Sequence, residues 1–527
     1  MGKDHRSLRA LASLLEEYAT VWQGSSPFDT LADGAETEFF QFEEDQVRVW
    51  LDVFVATLQQ ERLLLTSAPA AVLDHLAASQ PHQVPDRAWL VMFYSVVLGT
   101  RPADEPIKAK LRSNLWLAFN DVRLLLEPTA SSVQALVILA CHVEEFMTPS
   151  LCWALISRAC IMLQALGISP WQLDPPTRER RATSFGRLNA LDQSWRLDSP
   201  TLEGRTMLFW RLNVLDQSLA LILGKPPTFH REITVGMTPP TLDKLLPSQS
   251  QYPSSGAPVL FNAHYTHQMH LLSRVMSDVW HCLHGQGSDD VHTVIETVES
   301  WHRQAREVLE AAALAEKPLL GANGVDSVDL GLQMLCFHYS SLVVLLKVSS
   351  RSLRAQCIDP SQQMLRLLPR LGDMGPSLKE PYTCILWQPL QCPLTAFGTL
   401  WGEIVTKGKT QLEQNKQFLA DIEHVPAFMG KLSSRNPLAA KLANITERFV
   451  QQARSILYSE GQCSQENEAQ HSNPPMAFMN AMPSTNMSNA SQGQDLDAQL
   501  DDLFPWADDR FFDATFDWFA WTNQELS

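Results

Sequence analysis

The chain of 527 residues carries 58 acidic against 41 basic side chains, a formal charge of -17 that argues against a surface given over to gripping phosphate backbones. Apolar residues at 45% and charged residues at 19% exclude a wholly unfolded chain, and 32 Pro with 23 Gly exclude a collagen-like or single coiled-coil rod. At roughly three times a usual domain length it can bury a large core without staples.

Residues 7–22 place Leu8, Leu11, Leu14, Leu15, Tyr18 and Trp22 at three- and four-residue steps, which predicts a short helix ended by Gly24-Ser25-Ser26-Pro27. Its start holds Lys3, His5, Arg6 and Arg9, and residues 1–39 read as this helix and a linker. From 40 to 457 helix follows helix. The spacing predicts them around 47–58, 88–98 and 107–126, then 135–143 capped by Ser131 or Ser132. Thr148-Pro149 opens another that stops at Gly167. Residues 169–200, with Arg178, Arg180, Arg181 and Arg187, read as a solvated connection. The strongest pattern is 205–223, with Leu208, Phe209, Leu212, Leu215, Leu219 and Ile222 on one face and Gly224-Lys225-Pro226-Pro227 as its stop. A loop over 239–258 precedes periodic segments at 259–284, 290–315, 328–348, 360–370, 388–424 and 437–457. Alternating patterns bounded by Asn-Gly or Asp-Gly turns are nearly absent, so the fold class is all-α, a large multi-helix domain.

Composition changes after 457. Residues 458–494 are rich in Ser, Asn, Gln, Met and Pro, and ordering them costs more than their burial returns, which predicts a disordered linker. Residues 495–527 combine nine acids and the single base Arg510 with eight aromatics: Phe504, Trp506, Phe511, Phe512, Phe516, Trp518, Phe519 and Trp521. Acids that repel one another keep the rings exposed, and a partner with an apolar groove and a basic rim fits such a segment. The eight aromatics are the candidate partner-binding residues; a helix that docks back on the protein's own core is the competing reading.

Chemical motifs are sparse. The nine cysteines, at 141, 152, 160, 282, 336, 357, 384, 392 and 463, are widely spaced and often set in apolar runs, which predicts reduced, packed thiols in the cytosol or nucleus. There is no C-x2-C pair for zinc, and His264, His267 and His270 read as a polar or interface stripe of a helix. Neither a phosphate-cradling glycine loop nor a G-x-S-x-G elbow occurs, and the carboxylate cluster Asp508, Asp509 and Asp513 falls in the tail rather than in a core. The sequence therefore predicts no catalysis, no metal, no cofactor and no membrane span.

Several segments resemble the fungal-specific transcription factor domain, the middle homology region that usually follows a Zn2Cys6 cluster in fungal regulators. The match runs from Gly204-Arg205-Thr206-Met207-Leu208-Phe209-Trp210 through Leu215-Asp216-Gln217-Ser218 to Leu223-Gly224-Lys225-Pro226-Pro227, with Gln217 and Lys225 where Arg is more usual. Leu151-Cys152-Trp153 through Gly167, Leu335 to Leu346 and Pro393 to Trp401 are similar to its other helices. The resemblance covers roughly 85–450 and makes Arg205, Phe209, Trp210, Asp216, Gly224, Lys225 and Pro226 motif positions with structural roles. It implies a helical regulatory domain in a nuclear transcription regulator of a metabolic or secondary-metabolite gene set. The composition of the acidic aromatic tail adds the expectation of an activator that contacts a coactivator or the transcription machinery. No six-cysteine cluster lies in this sequence, so specific DNA binding is expected to need either a Zn2Cys6 partner or a cluster encoded by an upstream exon, with a homodimer as the other possible assembly. The alternative is an adaptor or corepressor that partners with such a regulator.

Overall fold

The computed structural model describes residues 38–60, 68–100, 105–143, 147–167, 202–246, 256–284, 290–373 and 387–458. The predicted helix at 7–22, the Arg178–Arg187 cluster, the 458–494 linker beyond its first residue and the whole tail lie outside the described residues. Among the described residues the regular structure is all helical, with no strand.

The helices are α1 (Glu44–Gln60), α2 (Ala70–Ala77), α3 (Arg87–Thr100), α4 (Glu105–Phe119), the single turn α5 (Arg123–Leu126), α6 (Ala130–His142) and α7 (Pro149–Ala165). There follow α8 (Leu202–Leu223), the short α9 (Arg231–Gly236) and α10 (Leu242–Leu245), α11 (Val259–His284), α12 (Val291–Glu316) and α13 (Ala322–Ser349). The last group is α14 (Ile358–Asp373), α15 (Trp387–Lys407), α16 (Leu412–Ile422), α17 (His424–Leu432) and α18 (Pro437–Tyr458).

Local chemistry sets the boundaries. Thr148 accepts a hydrogen bond from the Leu151 amide at 3.2 Å with Pro149 in the first turn, and Gly167 leaves α7 at φ 86°, as the sequence predicts. At α6 the cap is Thr129, which accepts from the Ser132 amide at 3.0 Å, rather than Ser131 or Ser132. Those two serines are buried inside the first turn, where their hydroxyls bond instead to Asp86 and Thr129. The continuous pattern at 388–424 divides into α15 and α16, because the chain turns at Gly408, φ 46°, through a 3-10 turn. The helix α2 has no counterpart in the sequence reading, being only eight residues with Val72 and Leu76 as its buried contacts.

The helices stack largely in chain order: α3 on α4 and α6, α6 on α7, α7 on α8, α8 on α11, α11 on α12, α12 on α13, α13 on α14, and α14 on α15 and α17. Two contacts tie the ends together. Helix α8 packs on α15, and the Asn436 amide group at the start of α18 donates to the Met147 carbonyl at 3.2 Å. Polar stitches lock other joints: Arg366 and Gln362 of α14 both donate to buried Asp421 of α16, at 2.8 and 2.5 Å, and Trp401 Nε1 donates to the Phe449 carbonyl at 3.1 Å. Helix α13 is as long and apolar as a bilayer-crossing helix, and its apolar residues are spent on α11, α12, α14 and α15.

Candidate functional site

Helix α8 sits at the centre of this stack, touching α7, α11 and α15, and it is buried on every side from Leu212 to Ala220. The predicted apolar face is inside, yet so are Asn213, Asp216, Gln217 and Ser218. Positions 213, 216 and 217 share one side of the helix. A buried polar side chain must find partners, and these find them in the chain that follows.

That chain, residues 224–241, forms a strap. It leaves α8 through Gly224 at φ 62°, where the Lys225 amide donates back to the Ala220 carbonyl at 3.1 Å, a glycine stop of the kind the sequence predicts. Asp216 Oδ2 then accepts the Phe229 amide at 2.9 Å, and Gln217 Nε2 donates to the Phe229 carbonyl at 3.5 Å. One turn earlier Asn213 accepts from the Thr234 hydroxyl at 3.2 Å and donates to Ser273 of α11 at 2.7 Å. Trp210 Nε1 donates to the Thr238 carbonyl at 3.1 Å. From α11, Arg274 donates to the carbonyls of Thr234 and Met237 at 3.4 and 2.5 Å while lying over the Trp210 ring at 5.1 Å. Beneath the strap, Phe209 meets Phe229 at 4.8 Å between ring centres.

The electrostatics are those of a closed core. Burial pushes the Asp216 carboxyl up to about 6, against hydrogen bonds from Phe229 and Thr228 that lower it. Burial and the neighbouring Asp216 raise the Cys160 thiol of α7 well above its ordinary value. His270, buried beside Trp210 at 5.7 Å between rings, is held down to about 3 by desolvation and by His267 and Arg211. The predicted polar stripe therefore divides: His270 is a neutral core group, while His267 Nδ1 lies 3.1 Å from the Pro240 carbonyl at the end of the strap. The thiol and the imidazole are buried and neutral, so the cluster fixes a backbone segment and presents no nucleophile.

The sequence-selected motif positions gather here. Phe209, Trp210 and Asp216 hold the strap, Gly224 starts it, and Lys225 lies over the Trp153 ring of α7 at 4.8 Å. Arg205 is half-buried in the first turns of α8 and Pro226 is exposed. Sequence reasoning missed Asn213, Thr234, Ser273 and Arg274; the available signal was three polar residues at 213, 216 and 217 inside an apolar helix. The eight tail aromatics lie outside the described residues. Among the described residues no three His, Cys, Asp or Glu side chains come together as a metal site.

The fungal specific transcription factor domain family matches residues 98–312, a span that contains α8, the strap and α11. A transcriptional regulator from Claviceps purpurea (strain 20.1) is 49% identical over 531 residues, covering 98% of this chain and 82% of its own length. No solved structure matches significantly.

Proposed function

The chain belongs to the family built on the fungal-specific transcription factor domain, a regulatory and not an enzymatic class, and from that membership we propose that it acts in the nucleus as a transcriptional activator. The regulator part of this reading is supported by the 49% identity to the Claviceps purpurea transcriptional regulator over nearly the whole chain, and the activator part by the acidic aromatic composition of 495–527. Its targets on this reading are a metabolic or secondary-metabolite gene set.

The helical body supplies the scaffold and the tail supplies the contact. Residues 495–527 bring nine acids and eight aromatics, and 461–527 carry -10 of the total charge, a combination that steers toward a basic rim and inserts rings into an apolar groove on a coactivator or the transcription machinery. DNA is reached on this reading through a Zn2Cys6 partner, since the acidic balance of these residues opposes adhesion to phosphate. Replacing Phe511, Phe512, Phe516, Trp518, Phe519 and Trp521 by Ala is expected to lower reporter output at equal protein level, and Asp→Glu changes in the tail to leave it. Unchanged output from the Ala variant discards the activation role.

The net charge of -17, which opposes direct contact with DNA, also fits a second reading, an adaptor or corepressor that binds a Zn2Cys6 regulator and does not itself activate. Fusing 461–527 to a heterologous DNA-binding module separates the two: activation supports the first, silence or repression the second.

A further inference from the structure

Ahead of α1, residues 38–42 (Glu-Phe-Phe-Gln-Phe) form no regular structure, and their backbone is held by side chains of the body. Asn114 of α4, fully buried, accepts the Phe40 amide through Oδ1 at 2.8 Å and donates through Nδ2 to the Phe40 carbonyl at 2.9 Å. The same Nδ2 donates to the Tyr94 hydroxyl of α3 at 3.0 Å, which fixes the amide plane. Two residues on, the Ser79 hydroxyl accepts the Phe42 amide at 3.2 Å and donates to the Phe42 carbonyl at 2.8 Å. Both backbone groups of alternate residues are thus paired, as they are when a peptide is captured in extended form.

Ser79 supplies a second, independent observation. It follows α2 at φ 54°, in the left-handed region that suits glycine, and is the one non-glycine residue there among the described residues. A glycine would end α2 with less strain and leave Phe42 unheld, and strain of this kind collects at ligand clamps. The rings are read as well. The Arg87 guanidinium lies 4.8 Å from the centre of the Phe39 ring, the Lys110 ammonium 5.7 Å from that of Phe40, and Phe42 meets Trp50 edge-on at 4.9 Å. All three phenylalanines are only half-buried, while Glu38, Gln41 and Glu43 are exposed. The segment therefore lies on the surface of the body, where two cations suit aromatics flanked by acids.

We propose that Ser79, Arg87, Lys110 and Asn114 form a receptor for an extended partner peptide with adjacent phenylalanines beside acids, and that residues 38–42 occupy it in cis as an internal competitor. This assignment does not depend on the activation reading of the tail. Fluorescence anisotropy of a labelled peptide of residues 36–45, added to the full chain, tests it. The unmodified chain is expected to bind weakly, because the tethered segment competes at an effective concentration on the order of millimolar. Phe39→Ala with Phe40→Ala weakens the competitor and leaves the receptor intact, so the peptide is expected to bind that variant about tenfold tighter. Lys110→Glu, added at an exposed position, is expected to reverse most of the gain. Phe40→Leu moves binding in the same direction by less and serves where the double change impairs folding, which cooperative thermal unfolding of each variant checks. Equal binding, or none, in the unmodified and weakened chains overturns the proposal. Binding that is indifferent to Lys110→Glu overturns it too, as does equal binding of a peptide with Ala in place of Phe39 and Phe40.

Discussion

Asp216 spends a buried charge on a backbone amide, and its titration is the residue-scale signature of the strap. A carboxyl raised to about 6 contributes stability that is present in full below its unfolded value and is lost as pH rises through 6. His270, lowered to about 3, and His338, lowered to about 4 by burial, act oppositely: their contribution is complete above the unfolded histidine value and is lost as pH falls below it. Each group changes stability by roughly 1.4 kcal/mol per pH unit inside its window. Between pH 6 and 4 the two histidines therefore outweigh the aspartate, and the body loses stability on acidification. Asp216→Asn keeps an acceptor for Phe229 and removes the charge, so its stability relative to the native chain is expected to be highest near pH 7 and to decline by about 1 kcal/mol toward pH 5. Urea unfolding at several pH values reads this directly, and a pH-independent difference contradicts it. Phe209, with no exposed surface and rings of Phe229 and Trp210 at 4.8 and 5.4 Å, is expected to cost about 3 to 5 kcal/mol on truncation to Ala, measured by thermal unfolding.

At the scale of elements, most helices were legible because their ends carry strong chemistry. Thr148-Pro149, Gly167 and Gly224 mark boundaries through a cap, a fixed φ and a left-handed turn that act within a few residues. The departures arise where tertiary contact decides instead. Ser131 and Ser132 resemble caps in sequence, but Asp86, 45 residues away, draws Ser131 inward and leaves Thr129 to cap. The α12–α13 corner is another such case. Glu316 caps α11 by accepting the Leu260 and Phe261 amides at 2.6 and 2.8 Å, and it does so across 55 residues. Beside it, a Cβ on Gly324 would stand 2.2 Å from the Gly256 carbonyl oxygen, and Gly256 itself has φ 113°. Gly324→Ala is therefore expected to destabilise by about 1 to 3 kcal/mol through backbone displacement, although Ala is the better helix former. A melting temperature equal to that of the native chain rejects this close approach.

For the whole molecule, the all-helical class follows from periodicity alone, whereas the strap does not. Its acceptors are backbone carbonyls of Phe229, Thr234, Met237 and Thr238, and no side-chain pattern announces a carbonyl. The motif marks Asp216 as a structural position without naming its partner, which is the Phe229 amide of the following segment. Packing of α8 on α15 and the Asn436–Met147 bond also set the unit of folding. The matched span 98–312 begins within α3, ends within α12 and lacks α15, so it divides two helices and bares one face of the central one. Expressed by itself it is expected to aggregate, while 38–458 is expected to unfold cooperatively with a sigmoidal circular dichroism transition. A soluble, cooperatively unfolding 98–312 fragment would show that the later helices are dispensable.

The α8–α15 contact also has a history in time. Helix α15 begins more than 160 residues after α8 ends. At ordinary elongation rates the ribosome takes on the order of ten to thirty seconds to deliver it. Throughout that interval the α15-facing side of the buried central helix has no cover from its final partner. The newborn chain must keep that face from other hydrophobic surfaces, so its yield in the cell is set by chaperone supply during synthesis as well as by the stability of the finished stack.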